Sequence, residues 1–216
     1  MRHRTVPTLI AAGLAAATLA TSSQAFAYGA GDFFTRVGVA QVDPKSDNGS
    51  LDGGNLSVDV QDKTNFAFTL GYRFHDKVGV ELLAALPFKH DINLGDGAAA
   101  GETKHLPPTL VLQYYPLGGT EARVQPYAGI GINYTQFFDE ELTLADGTSL
   151  DLDLASSWGI AGQLGIDLLI DDNWALNASA WYIDIDTDAS VAELGGAVGT
   201  VEIDPVVVMA GISYRF

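Results

Sequence analysis

Cysteine is absent from the 216-residue chain, so no disulfide staples it and another device must hold its fold. Basic residues are scarce, with 11 Lys plus Arg against 27 Asp plus Glu and a formal charge of −16. A phosphate backbone needs a basic stripe that this balance does not supply, which excludes nucleic acid as a partner. Histidine occurs only four times. His90 and His105, even with Asp91, lack the tight spacing of a metal site, and Asp47-Asn48-Gly49 lacks the spacing of a calcium loop. No metal and no cofactor is expected. A nucleophile aligned with a base is missing too: no motif brings Ser213 to a histidine, so no catalytic residues and no enzyme chemistry are expected. Hydrophobic residues make up 47% and the mean hydropathy is only +0.15, and no apolar run beyond the N-terminal segment is long enough for a membrane-crossing helix.

What is present begins with a leader. Arg2, His3 and Arg4 form a basic start, Leu9–Ala20 a short apolar core, and Ala25-Phe26-Ala27 a small-residue cleavage site. The apolar core is shorter than the roughly 20 residues that span a bilayer, so it reads as a signal for Sec-type export over residues 1–27 and not as an anchor. The mature domain then covers residues 28–216.

The last stretch, Ile203 to Phe216, sets the pattern for that domain. Val206, Val208, Ala210, Ile212, Tyr214 and Phe216 form an apolar row, while Val207, Met209, Gly211, Ser213 and Arg215 form a mixed one. Such a strand lies between an apolar phase and a mixed interior. The same alternation recurs over Asp32–Val42, Asn65–Phe74, Val78–Phe88, Leu106–Pro116, Pro126–Phe137, Leu154–Leu168 and Trp174–Tyr182. Links at 75–77, 117–124 and 170–173 are short, whereas 43–64, 89–105, 138–153 and 186–202 are long and polar. Aromatics near strand ends, namely Phe33, Phe34, Phe74, Phe88, Tyr115, Phe137, Phe138, Trp174, Tyr182, Tyr214 and Phe216, suit two interfacial girdles.

Apolar rows facing lipid require every strand amide and carbonyl to be paired within the sheet, which forces closure. The sequence therefore predicts an all-β fold, an eight-stranded antiparallel transmembrane β-barrel with short periplasmic turns and long extracellular loops. A barrel of this size encloses a lumen wide enough for side chains or one slender ligand. On the inward row, Arg36, Arg73, Glu81 and Asp167 are expected to form lumen ion pairs. Leu83 and Trp181 fall on that same row by alternation alone.

Several blocks together resemble the OmpW family of outer-membrane proteins. They are Val80–His90, His105–Leu110 with Gln113-Tyr114-Tyr115, Gln125–Gly129, Asn133-Tyr134-Thr135, Ser157-Trp158-Gly159 with Gln163, Trp181–Thr187, and Ile203-Asp204-Pro205 with Tyr214-Arg215-Phe216. The resemblance implies location in the cell outer membrane of a Gram-negative organism and uptake of small hydrophobic molecules through an apolar lumen closed toward the periplasm. It implies a constriction at Leu83 and Trp181, either as ligand contacts or as packing, and exit sideways through the wall. Pro87, Pro107 and Pro108, which lack a backbone donor, either open that wall or merely end strands near the rim. Tyr214 and Phe216 match the insertion signal read by periplasmic chaperones and the barrel-assembly machinery. Outer-membrane lipids and lipopolysaccharide are the expected surroundings. Asp139-Glu140-Glu141, Asp151 with Asp153, and Asp184, Asp186 and Asp188 read as solvated loop charge, with cations bridging lipopolysaccharide as the other reading. The alternative function is a structural, adhesive or receptor barrel with a packed lumen and binding loops.

Overall fold

The computed structural model describes residues 29–51, 56–85, 88–95, 99–194 and 196–216. The expected leader and Pro87 lie outside the described residues. Eight long strands form the barrel: β1 (Phe33–Asp43), β2 (Lys63–His75), β3 (Val78–Ala85), β4 (Thr109–Tyr114), β5 (Val124–Leu144), β6 (Ser157–Leu169), β7 (Trp174–Ile183) and β8 (Val206–Arg215). Each pairs antiparallel with its chain neighbours. Closure comes from β1 against β8, from Phe34↔Arg215 to Asp43↔Val206. The predicted barrel is thus realised, and the ladder replaces the water that a lipid-embedded backbone lacks.

Alternation decides what each strand presents. Outward residues such as Ile130 and Trp158 are 74% and 71% exposed, while Arg36, Thr69, Gln113 and Asp167 on the other row are fully buried. A periplasmic aromatic collar forms where Trp174 meets Tyr214 at 4.7 Å, Tyr214 meets Phe216 at 5.1 Å and Phe33 meets Tyr72 at 4.5 Å. Tyr134 against Trp158, at 4.8 Å, marks the opposite collar. Phe34, Tyr115 and Phe137 correct the girdle assignment, because all three are buried in the interior. Their positions near strand ends suggested an interface, but row parity turns them inward.

The long connections also depart from expectation. They are largely strand, over Ser50–Leu51, Leu56–Val60, Phe88–Leu94, Ala99–Leu106, Ser149–Leu150, Leu152–Leu154, Asp186–Val191 and Gly196–Glu202. Together with the upper half of β5 they carry the wall beyond the collar. Here the outer row is polar and the inner row apolar: Val58, Val60, Ile92, Leu142, Leu152, Leu154, Val191, Val201 and Ile203 are buried. Composition alone registers the outer charges, which is why these stretches read as loops.

Candidate functional site

The lumen divides into two tiers. In the periplasmic half, Arg36 on β1 lies at the centre of a fully buried network. Its guanidinium pairs with Asp167 on β6, Nη2 to Oδ2 at 2.7 Å and Nε to Oδ1 at 3.2 Å, and with Glu81 on β3. Each carboxylate is held from a second side. Gln163 donates to Glu81 at 2.7 Å and Thr69 donates to it at 2.9 Å, while Asn177 donates to Asp167 at 2.7 Å. Gln113 donates to Gln163 at 2.8 Å and accepts from the Tyr115 hydroxyl at 2.6 Å. Two rings, Phe34 and Tyr127, each place their centroid 4.4 Å from the Arg36 guanidinium carbon. Their room comes from glycine: a Cβ on Gly71 would lie 2.0 Å from the Phe34 ring, and one on Gly165 would lie 2.3 Å from Tyr127.

Buried charges cost several kcal/mol each unless paired and hydrogen-bonded, and this set meets both conditions. The result is a polar plug from wall to wall. Of the four inward charges expected to pair, Arg36, Glu81 and Asp167 form one triad. Arg73 instead donates to the Asp76 carbonyl and lies 3.9 Å over the Tyr115 ring. Row parity made these side chains inward, but which ones meet across the lumen depends on closure and register, which no local pattern encodes. The sequence reading places Phe34 and Tyr115 in the girdles and gives Tyr127 no role, and only closure brings Phe34 and Tyr127 over the guanidinium and the Tyr115 hydroxyl beside it.

The second tier starts one inward position higher. Leu83 follows Glu81 on β3, and Trp181 lies two inward positions above Asn177 on β7. Both are buried, at 5% and 1% exposure, and both belong to one apolar cluster with Val111, Met209 and Ala161. That cluster continues without a break through Ala40, Val42 and Ile183 to the inner row of the upper wall. Leu83 and Trp181 therefore share the tier directly above the plug.

The prolines have unequal edges. Toward β5 the register runs unshifted from Leu106↔Gln136 to Thr109↔Asn133, and the Pro108 carbonyl accepts the Tyr134 amide at 3.1 Å. Toward β3 the ladder ends at Leu83↔Thr109, and the next described pair is Phe88↔His105, offset by one residue. Pro107 and Pro108 lie in that interval with no amide to donate. Higher up, the upper half of β5 and Leu152–Leu154 flank a cavity of about 760 Å³ lined by Phe137, Leu152, Leu154, Asp139, Asp151 and Asp153.

At the rim, Asp184, Asp186 and Asp204 gather within 4.8 Å of one another. Lys45 pairs with Asp204 at 3.0 Å and with Glu202, and the Glu202 hydrogen bond holds its ammonium well above the usual lysine range. Burial first, then Asp204, Asp184 and Glu202, push the Asp186 carboxyl above its ordinary value. Tyr214 and Phe216 close the wall on the periplasmic collar, where the Phe216 amide donates to the Phe33 carbonyl at 2.9 Å.

Comparison with known proteins agrees with this geometry. The chain is similar to outer membrane protein W of Escherichia coli, 44% identical over 96% of this chain and 99% of that one. Its fold matches the crystal structure of the outer membrane protein OprG from Pseudomonas aeruginosa with a TM-score of 0.78 at 40% identity, covering 89% of this chain and 99% of the other. The structure of outer membrane protein AlkL in lipid bilayers matches with a TM-score of 0.66 at 26% identity, covering 91% and 94%. The model of the OmpW family matches residues 29–216. The chain belongs to the OmpW family of outer-membrane β-barrels.

Proposed function

We propose that the barrel admits small hydrophobic molecules from the extracellular side and passes them sideways into the membrane, with no bond made or broken. The observation that supports this most is the inversion of polarity along the wall. The inner row is mainly apolar from the rim down to Leu83 and Trp181, with Thr109, Asn133, Thr135 and Ser157 as its polar members on β4 to β6, and it ends on the charged Arg36 plug. An apolar molecule gains by entering such a tier, and a buried ion triad gives it no favourable way onward. The ladder interval at Pro107 and Pro108 adjoins Leu83, so the proposed exit lies beside the place where descent stops.

The test is uptake of a hydrophobic tracer by cells producing wild type, Leu83→Arg or Trp181→Ala. Leu83→Arg is expected to abolish the protein-dependent component, because a charge in the tier repels the cargo and holds water. Trp181→Ala is expected to change it severalfold. Uptake by both variants at the wild-type rate overturns the reading. One observation favours a second reading: Leu83 and Trp181 are almost wholly covered by neighbours, as in a lumen packed for stability. A structural or adhesive barrel of that kind shows no protein-dependent uptake at all.

For its biogenesis, we propose that residues 1–27 are removed on export and that the Tyr214–Phe216 collar presents the insertion signal to chaperones and the assembly machinery.

A further inference from the structure

The indole of Trp181 carries a donor that no part of the described protein accepts. Trp181 is 1% exposed, and its Nε1–H has no hydrogen-bond partner among the described residues. A buried indole N–H ordinarily finds an acceptor, and leaving it bare is costly. The acceptors nearest in the ladder are committed elsewhere. Gln163, paired with Trp181 across β6 and β7, accepts from Gln113 and donates to Glu81. Below Trp181 on β7, Asn177 Oδ1 accepts from the Ser179 hydroxyl at 3.2 Å and its amide donates to Asp167 at 2.7 Å. The β8 partner of Trp181 is Val207; Leu83, Val111, Met209 and Ala161 bring no side-chain oxygen, and Thr109, level with Leu83 on β4, already accepts from Asn133 at 2.9 Å and donates to the Pro107 carbonyl at 3.0 Å. Gln125 Oε1 also lacks a donor, but it lies at the periplasmic end, below the plug.

We propose that Trp181 selects the polar end of the cargo, so that the funnel prefers hydrophobic molecules bearing one acceptor oxygen, such as a ketone, aldehyde or ether, over hydrocarbons of equal length. This rests on the uptake reading and narrows its substrate class. An acceptor oxygen satisfies the N–H among largely apolar neighbours whose own polar groups are already paired, whereas a hydrocarbon leaves it bare. An ammonium group gains nothing, since it has no lone pair to offer. The single donor fixes orientation as well: the oxygen is held beside β7 just above the plug, and the apolar tail trails toward the rim.

The probes are nonane and 2-nonanone, added to the full mature chain in lipid nanodiscs with ¹⁵N-labelled tryptophan. The chain has three tryptophans. Trp158 and Trp174 face outward and report ligand dissolved in the lipid, and Trp181→Phe assigns the third indole signal. 2-Nonanone is expected to move the Trp181 indole proton downfield in a saturable way, while nonane does not. In cells, Trp181→Phe is expected to lower the ratio of 2-nonanone to nonane uptake by roughly twofold to tenfold, the worth of one hydrogen bond. The selectivity proposal fails if the Trp181 signal is unmoved by the ketone, or moves equally with nonane. It fails too if both compounds enter and the ratio is the same in Trp181→Phe. If neither compound enters through wild type, the uptake reading itself falls, and this proposal with it.

Discussion

Arg36 shows how much a single buried residue depends on its surroundings. Its charge is balanced by two carboxylates, its faces are covered by two rings, and those rings fit only because Gly71 and Gly165 carry no side chain. Replacing Arg36 by Met leaves Glu81 and Asp167 buried and facing one another without a cation. Removing one partner of a buried pair typically costs about 3–5 kcal/mol. A loss of that size is expected in the urea unfolding of the barrel in lipid vesicles, followed by tryptophan fluorescence. Adding Glu81→Gln and Asp167→Asn to Arg36→Met is expected to recover most of it, because no uncompensated charge then remains. Full stability of the single variant contradicts the plug. At this scale the sequence was informative about orientation and silent about contact. Alternation alone turned Arg36, Glu81, Leu83, Asp167 and Trp181 inward. The Arg36–Asp167 pair, separated by most of the chain, exists only because β8 closes on β1.

At the scale of the strands, the eight membrane crossings were legible because lipid demands an apolar row. The upper wall was not, because Asp59, Asp153, Asp186, Asp188 and Glu202 occupy its outer row and dominate its composition. Alternation persists there with the apolar row turned inward, as in any half-buried sheet facing water. Those outer acids have a pH signature at Asp186. Burial and its acidic neighbours Asp204, Asp184 and Glu202 raise its folded carboxyl pKa above the ordinary 3.8. The protonated form is therefore the favoured one in the folded rim, so Asp186 supports the fold fully below its unfolded pKa and that support is lost as pH rises through the folded value. At neutral pH Asp186→Asn is expected to stabilise the rim, by no more than about 1 kcal/mol because the group is solvent-screened. The gain is expected to vanish as pH falls below about 4. Hydrogen exchange of the amides over 184–204, with chelator present, measures it. A gain that persists at low pH indicates packing and not charge.

The molecule as a whole is a wall of constant handedness in its pleat and changing polarity along its length. Below the collar of Tyr134 and Trp158 the outer row is apolar while the inner row passes from the polar plug to the apolar tier of Leu83 and Trp181; above it the inner row is largely apolar and the outer row acidic. The outer row changes from apolar to acidic where its surroundings change, with lipid against the lower wall and water against the upper, and on β5 an irregularity at Asp139, whose φ is 55°, passes the inward row from Phe137 to Leu142. A charge placed on the outer row therefore has a cost set by height alone. Ile130, 74% exposed and between Val124 and Tyr134 on β5, lies in the lipid band, whereas Thr200 occupies the outer row of the rim hairpin. Ile130→Arg is expected to destabilise folding into vesicles by about 2–4 kcal/mol, the cost of arginine near a bilayer midplane. Thr200→Arg, exposed to water and facing an acidic rim, is expected to be close to neutral. Folding equilibria measured in urea with the same lipid compare the two directly. Equal costs for both substitutions contradict a boundary between lipid and water at the collar.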